Sequence, residues 1–189
     1  MTFERSWPIL HFDPRAALDW RLAKSGLWGE QHKEREMQKG RNARYWNEFK
    51  VGEIIETVGR TVESGDVSLF AGLSGDFNPV HLNELHAKKS QFGTRIAHGL
   101  LTLAITSGQI NGTGLFEGTT IGFLGLEKVR FSNPVRFGDT VLTSVAITDV
   151  RKSEKKNDRG VVSMTITVKN QKDETVLTYD QALLMAAAA

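Results

Sequence analysis

One segment, residues 99–111, constrains the fold more than any other part of the chain. Its sequence, GLLTLAITSGQIN, consists almost entirely of small or apolar residues. A helix that is apolar on most sides is buried in the protein interior. The segment is also much shorter than the ~20 apolar residues that a membrane-spanning helix needs. It therefore predicts one buried helix at the centre of the fold.

Four stretches with the character of β-strands follow this helix. They lie at residues 119–131, 139–150, 161–169 and 175–184. The third is the clearest, because Val, Met and Ile alternate strictly with Ser, Thr and Lys along it. Charged residues 151–160 separate it from the second stretch and are typical of a hairpin loop. This order predicts an α+β fold in which a long antiparallel sheet wraps around one apolar helix.

Shorter elements are predicted before the central helix. Residues 51–62 favour a strand. Its apolar face is expected to consist of Ile54, Val58 and Val62. Asp66 is expected to cap a short buried helix that ends at Gly75, and Asn83 is expected to cap another that runs to about residue 90. The residues between these two helices are predicted to form a loop.

Composition excludes several classes of protein. The chain has no Cys, so disulfides, thiolate metal sites and a Cys nucleophile are ruled out. Its net charge of +2 is too small to favour nucleic acid or a membrane surface as a partner. The polar residues 31–44 and the loop 151–160 could contact nucleic acid or phosphate, although a solvent-exposed face is the simpler interpretation. No secretory signal is recognised at the start, so a cytoplasmic protein is expected.

Charge divides the chain into two parts. Residues 1–44 contain nine basic and six acidic side chains, which leaves fifteen and sixteen for residues 45–189. Asp13 and Pro14 are well suited to begin a helix in the first part. The first part also contains the aromatic residues Trp7, Trp20 and Trp28. We expect a helical N-terminal extension with apolar anchors that packs on a core domain.

Asp76 and His81 form the strongest candidate for chemistry. They are five residues apart with Pro79 between them, so a regular helix face does not bring them together, but a Pro-fixed loop can aim both into one pocket. An ionised carboxylate can orient a water molecule while an imidazole exchanges its proton near neutral pH. The alternative is that Asp76 is only a turn residue and His81 a surface histidine. No motif for phosphate, dinucleotide or zinc binding is present, and no metal is expected.

Gly99, at the predicted start of the central helix, is a second candidate. The first N–H groups of a helix lack internal partners, and the helix dipole favours negative charge there. An oxyanion that develops on an acyl carbonyl would meet backbone donors at this position. Glycine lets a ligand approach closely because it has no Cβ. The alternative is that Gly99 only eases the packing of helix on sheet.

Several motifs resemble those of a known family. They are AGLSGDFNPVH at residues 71–81, RIAHG at 95–99, YWNEFKVG at 45–52, FSNPV at 131–135 and GD at 138–139. Together they are similar to the MaoC-like dehydratases, the (R)-specific enoyl-CoA hydratases of hot-dog fold. The resemblance implies a single hot-dog domain over residues 45–189, preceded by residues 1–44 as the extension. We expect the extension to shape access to the acyl pocket.

The resemblance also implies a role for each matching residue. Asp76 and His81 would be the catalytic pair that holds the water, and the Gly99 amide would be the oxyanion donor. The residues expected to contact or line the substrate site are Asn78, Ser107 and His98. His98 is also expected to be largely structural, because the backbone amide of Gly99 is the expected oxyanion donor at the helix start. His86 is expected to be solvated.

The reaction implied by the resemblance is reversible hydration of the α,β double bond of an enoyl-CoA thioester, giving an (R)-3-hydroxyacyl-CoA. The protein would be a hydro-lyase that needs no cofactor, with coenzyme A present only as part of the substrate, and would form a homodimer or a larger assembly of dimers. The alternatives are a 3-hydroxyacyl-carrier-protein dehydratase and a non-catalytic subunit that binds acyl thioesters. The candidates for coenzyme A phosphate contacts are Lys88, Lys89, Arg95, Lys128, Arg130 and Arg136.

Overall fold

The structure, a computed structural model, describes residues 39–188. An antiparallel sheet dominates these residues. Its strands are β1 (Ile54–Glu56), β2 (Arg60–Thr61), β3 (Thr120–Phe131), β4 (Thr140–Lys152), β5 (Arg159–Lys169) and β6 (Thr175–Ala186). They are ordered β1–β4–β5–β6–β3, and β2 also pairs with β4. The four long strands predicted from the sequence are confirmed within about two residues at each end, as expected for strongly patterned segments.

The helices occupy the segment between β2 and β3. They are α1 (Ser64–Ser74), α2 (Pro79–Leu82), α3 (Glu84–Ala87) and α4 (Gly99–Gly112), and a short 3-10 helix, Trp46–Glu48, precedes β1. The long helix α4 lies against the sheet, and its buried side includes Leu101, Ile105 and Ile110. Its opposite side is exposed at Leu100 and Ser107. The prediction that this helix is buried is therefore confirmed for one side only.

Strand β5 explains why the sheet forms a core with α4. Its residues Val162, Met164, Ile166 and Val168 are fully buried, whereas the Ser, Thr and Lys residues between them are partly exposed. Successive side chains of a strand point to opposite faces, so one face of β5 is apolar and the other polar. The apolar face joins the buried residues of α4, β4 and β6 in one continuous cluster.

Gln109 fastens α4 to the sheet through buried hydrogen bonds. Its Nε2 donates to the carbonyl oxygens of Val58 and Val141 at 2.8 and 2.9 Å, and its Oε1 accepts from the Thr143 hydroxyl at 2.8 Å. The bond to Val58 lies between β1 and β2, where the backbone leaves the ladder with β4. The polar side chain is thereby fully paired, as a buried amide must be.

The strand predicted over residues 51–62 is therefore wrong in its continuity. It is divided into β1 and β2. Val58, whose carbonyl accepts a hydrogen bond from Gln109, lies between the two strands. Its three apolar residues do not share a buried face either. Ile54 and Val58 are exposed, Val58 by 84%, whereas Val62 is fully buried.

Helix α1 differs from its prediction at its start and in its burial. Glu63 is the N-cap, and Asp66 is the third helical residue, whose carboxylate accepts from the Glu63 N–H at 2.9 Å. The helix is not buried, because only Val67 and Ala71 lie in the interior. Its apolar residues Leu69 and Leu73 are exposed.

The end of α1 confirms the prediction at Gly75. This residue adopts φ +75°, a left-handed conformation that glycine reaches without strain, and its N–H donates to Ala71 O. The next segment is not all loop, because Pro79 begins the one-turn helix α2. Helix α3 begins after Asn83 as predicted and ends at Ala87, earlier than expected.

The last residues of the predicted extension are attached to the domain. Gly40 N donates to Glu117 O at 3.0 Å, and Arg44 N donates to Leu115 O at 2.8 Å. The Arg44 guanidinium also pairs with Glu53 at 2.6 Å. The helix expected around Asp13 and the packing of the Trp residues fall outside the described residues. None of the helices within residues 39–188 is long and apolar enough to cross a membrane.

Candidate active site

The loop that carries Asp76 is held by its own polar side chains. The Ser74 hydroxyl donates to Phe70 O and accepts from Asp76 N, so the chain turns sharply at the end of α1. The Asp76 Oδ1 then accepts from Asn78 N at 3.2 Å, and the Asn78 side chain accepts from Val80 N at 3.2 Å. Asp and Asn side chains commonly support turns in this way. The carboxylate is therefore oriented through one oxygen, and its side chain stays 52% exposed.

His81 is placed by α2 and oriented by a backbone carbonyl. Its Nδ1 lies 2.8 Å from Ile96 O. Because a carbonyl oxygen can only accept, Nδ1 carries the proton, and Nε2 of the neutral ring keeps its lone pair. An imidazole held in one tautomer with a free Nε2 can accept a proton from a bound water. Sequence reasoning did not identify Ile96, since a carbonyl contact leaves no signature in residue type.

His98 lies on the interior side of Asp76 and His81. It is the N-cap of α4, and its side chain is 2% exposed. Its Nε2 donates to Asp76 O at 2.9 Å, and its ring stacks on His81 with centroids 3.8 Å apart. The Phe70 ring is 5.1 Å away on a tilted plane. Nδ1 of His98 is buried and has no hydrogen-bond partner among residues 39–188.

The structure therefore brings Asp76, His81 and His98 together, with one possible ligand atom from each within 4.8 Å of the others. A carboxylate and two imidazoles at this spacing could hold either a water molecule or a cation. Each ring already uses one nitrogen for a backbone carbonyl, and the second nitrogen of His98 is shielded from solvent. The arrangement suits a water held between Asp76 and His81. The absence of a metal stays a prediction.

Gly99 begins α4 directly beside His98 and borders a cavity of about 240 Å³. The other residues that line the cavity include Phe92, Ala97, Thr102 and Phe131. A Cβ added to Gly99 would lie 3.0 Å from the nearest ring carbon of Phe131. Close packing thus gives one reason for glycine here, and the cavity at a helix start gives another. The two interpretations are compatible.

Asn78 and Ser107 are placed differently from one another. Asn78 belongs to the loop and caps α2. Ser107 lies on the exposed side of α4, eight residues beyond Gly99 or roughly 12 Å along a helix axis. It borders a different cavity of about 110 Å³, with Phe123 and Gln181. Within one copy of the domain, Ser107 is not brought together with Asp76 and His81.

The remaining candidate residues differ in whether they already form ion pairs within the domain. His86 is exposed, as expected. Arg95 pairs with Glu84 at 3.0 Å, and this hydrogen bond holds the pKa of the Glu84 carboxyl below its usual value. Lys128 pairs with Asp180 at 2.8 Å. Within residues 39–188, no ion pair involves the other phosphate candidates, Lys88, Lys89, Arg130 and Arg136.

A family comparison decides what kind of domain carries this site. Residues 47–171 match the family model described as the MaoC like domain. The chain belongs to the MaoC-like family. The match contains Asp76, His81 and Gly99 and ends shortly before β6. The family resemblance drawn from the sequence motifs is confirmed.

Two relatives illustrate the similarity within the MaoC-like family. The (R)-specific enoyl-CoA hydratase of Rhodospirillum rubrum is 39% identical over 104 residues, which cover 55% of this chain and 69% of that protein. The crystal structure described as a monoamine oxidase regulatory protein from Archaeoglobus fulgidus is 36% identical with a TM-score of 0.73. That match covers 79% of this chain and 99% of the other.

A more distant structure establishes the fold. A conserved hypothetical protein from Mycobacterium tuberculosis with a double hot-dog fold matches with a TM-score of 0.68 at 17% identity. The match covers 78% of this chain and 45% of that one, so this MaoC-like chain corresponds to about half of the double fold. The prediction of a single hot-dog with an antiparallel sheet around one helix is confirmed.

Proposed function

We propose that this protein catalyses the reversible addition of water across the α,β double bond of an enoyl-CoA thioester, giving an (R)-3-hydroxyacyl-CoA. The observation that carries the proposal is the partly exposed Asp76 carboxylate beside His81. Nδ1 of His81 is held by Ile96 O, and no residue among 39–188 hydrogen-bonds to its Nε2. Such a pair can bind, orient and deprotonate one water. The similarity to an (R)-specific enoyl-CoA hydratase supports the same reaction and carrier.

Each part of the site has a defined task in the proposed reaction. Asp76 accepts one hydrogen bond from the water, and His81 Nε2 takes the other proton as the water oxygen bonds to the β carbon. The electrons of the double bond move to the thioester oxygen, and the Gly99 end of α4 stabilises the resulting enolate. His81 Nε2 then gives the proton that it accepted to the α carbon, which restores the starting imidazole. The reverse sequence eliminates water, and neither direction consumes a cofactor.

The ultraviolet absorbance of enoyl thioesters provides the test of this proposal. We expect the purified protein to decrease the ultraviolet absorbance of at least one substrate in a panel of short, long, branched and dicarboxylic enoyl-CoAs. The product is then analysed by chiral chromatography and should be the (R)-3-hydroxyacyl-CoA. A parallel panel attached to acyl carrier protein distinguishes the two carriers. Inactivity on every substrate, or an (S) product, would contradict the proposal.

We further propose that two copies associate through β3. This strand pairs only with β6 within residues 39–188, so one long edge of the sheet has free backbone groups. Its apolar side chains Phe123 and Leu124 are 56% and 55% exposed. The opposite edge strand β1 has only three residues. Pairing of β3 with a second copy would cover this apolar surface and place the exposed Ser107 side of α4 near the partner.

Replacement of Phe123 by Glu tests the proposed dimer. A buried charge at the centre of the interface should weaken association by at least about 30-fold, as for a residue that contributes about 2 kcal/mol to binding. Sedimentation velocity over a range of concentrations measures the change. Ile54→Glu on the exposed face of β1 is the matched control and should leave association unchanged. A monomeric wild type, or a Phe123 variant that still forms tight dimers, would contradict this arrangement.

A further inference from the structure

We infer that His98 is a positioning residue, which holds the Asp76 backbone and the His81 ring in their relative places through its Nε2–H and its stacked ring. This inference rests on the proposed hydratase function. It develops the largely structural role expected for His98 from the sequence and differs from the substrate contact that was expected beside it. In the structure this side chain is 2% exposed and lies behind the pair.

The hydrogen-bonding atoms of His98 exclude a direct part in chemistry. Nε2 lies 2.9 Å from Asp76 O, and a carbonyl accepts only, so this nitrogen carries the proton. Nδ1 is buried and has no partner in the part of the chain that the structure describes. Nε2 also lies 4.0 Å from Asp76 Oδ2, beyond hydrogen-bond distance, so the ring presents no exposed and unpaired polar atom to a water or a thioester. His81 is the opposite case, since its Nδ1 donates to a carbonyl and its Nε2 has no hydrogen-bond partner within the described residues 39–188.

The contacts of His98 join the loop that carries Asp76 to helix α4. Its own carbonyl accepts from Thr102 N at 3.2 Å, so its backbone is part of the first turn of α4. That helix is fastened to the sheet by Gln109. The residue after His98 is Gly99, the proposed oxyanion donor. Through His98, the loop with Asp76 is set relative to the same helix that supplies Gly99.

The ring of His98 also limits where His81 can move. The two rings lie 3.8 Å apart and 29° from parallel, and Phe70 closes another side of His98. His81 can therefore not tilt toward the interior without displacing a packed ring. Its other restraint is the Ile96 carbonyl. Catalytic groups must be held closely, because a displacement of about 1 Å can cost about 100-fold in rate.

Two substitutions separate the hydrogen bond from the ring. His98→Phe keeps an aromatic ring and removes the donor, and we expect kcat to fall by about 10- to 100-fold while KM changes less than about threefold. His98→Gln places an amide N–H near the position of Nε2 but removes the stacked ring, so it should recover only part of the lost rate. His86→Phe and His86→Gln make the same changes at an exposed histidine and should leave both constants unchanged.

Three kinetic results would overturn the inference. The first is full activity of His98→Phe. The second is a rise in KM at unchanged kcat, which indicates substrate contact. The third is equal loss of kcat in both His98 variants at wild-type thermal stability, because an imidazole would then be needed for its own chemistry.

Nuclear magnetic resonance of the full-length wild type tests the inference without any activity. Long-range ¹⁵N–¹H correlations should find the proton of His98 on Nε2 and that of His81 on Nδ1. Amide hydrogen exchange at Asp76 and Asn78 should be faster in His98→Phe than in wild type or His98→Gln. If the wild type hydrates no thioester, the proposed function fails, but these spectra still decide the role of His98. The positioning role of His98 would be overturned by a proton on its Nδ1. It would also be overturned if amide exchange at Asp76 and Asn78 were the same in His98→Phe as in the wild type.

Discussion

Asp76→Asn and His81→Gln are each expected to lower kcat for hydration by about 10²- to 10⁴-fold, the range for loss of a general acid–base group. The Asn side chain can still accept the Asn78 N–H through its amide oxygen, so the loop keeps its hydrogen bond while the charge that orients the water is lost. The Gln side chain can still donate to Ile96 O, but it has no nitrogen that takes up a proton. Initial rates of enoyl-thioester bleaching measure both effects.

The matched control for these variants is His86→Gln, because His86 is an exposed histidine on α3. It should retain the wild-type rate. Thermal melts should also coincide for all three variants and the wild type, since neither Asp76 nor His81 is part of the buried core. Wild-type rates in either site variant would contradict the assignment of the catalytic pair.

Gln109→Leu should have the largest effect on stability. The change leaves the carbonyls of Val58 and Val141 and the hydroxyl of Thr143 without the partner that they have in the structure. An unpaired buried polar group costs about 1–3 kcal/mol, and two of the three groups lie in the interior. We expect the free energy of unfolding to fall by about 3 kcal/mol. Urea denaturation at fixed protein concentration measures it.

Asn111→Leu provides the comparison for Gln109→Leu. Asn111 lies two residues further along α4 and is exposed, so its replacement by Leu should change the free energy of unfolding by less than about 0.5 kcal/mol. Equal stability of the two variants would mean that the hydrogen bonds of Gln109 do not fasten the helix. Partial separation of β1 from β4 in the Gln109 variant is a second expected effect, detectable by amide exchange at Thr57, which donates to Thr143 O.

The long strands and α4 were predictable because their signals are local. In β5 the alternation of apolar and polar residues follows the geometry of a strand with one buried face. The left-handed end of α1 at Gly75 was predictable for the same reason, because glycine reaches this backbone conformation without strain. The pairing of Asp76 with His81 was anticipated from a short loop and from the resemblance of its motif. Each of these features depends on residues that are close together in the chain.

Two of the wrong predictions, the unbroken strand over residues 51–62 and the burial of α1, depend on distant partners. The break between β1 and β2 contains Val58, whose carbonyl accepts from the amide of Gln109, about fifty residues later in the sequence. The exposure of Leu69 and Leu73 depends on which elements pack against α1, and helical spacing carries no information about that. An apolar stripe predicts that a helix has an apolar face, but not that the same chain covers it.

The amino-acid sequence by itself predicted the α+β class and the family and singled out Asp76 and His81 as the candidates for chemistry, since periodicity and short motifs are local properties. Only the tertiary structure decided how that chemistry is held. It placed the Ile96 carbonyl on His81, buried His98 between the pair and α4, and left Ser107 in a separate cavity. These contacts join residues far apart in the chain, and hydrogen bonds of that kind follow from packing rather than from residue type.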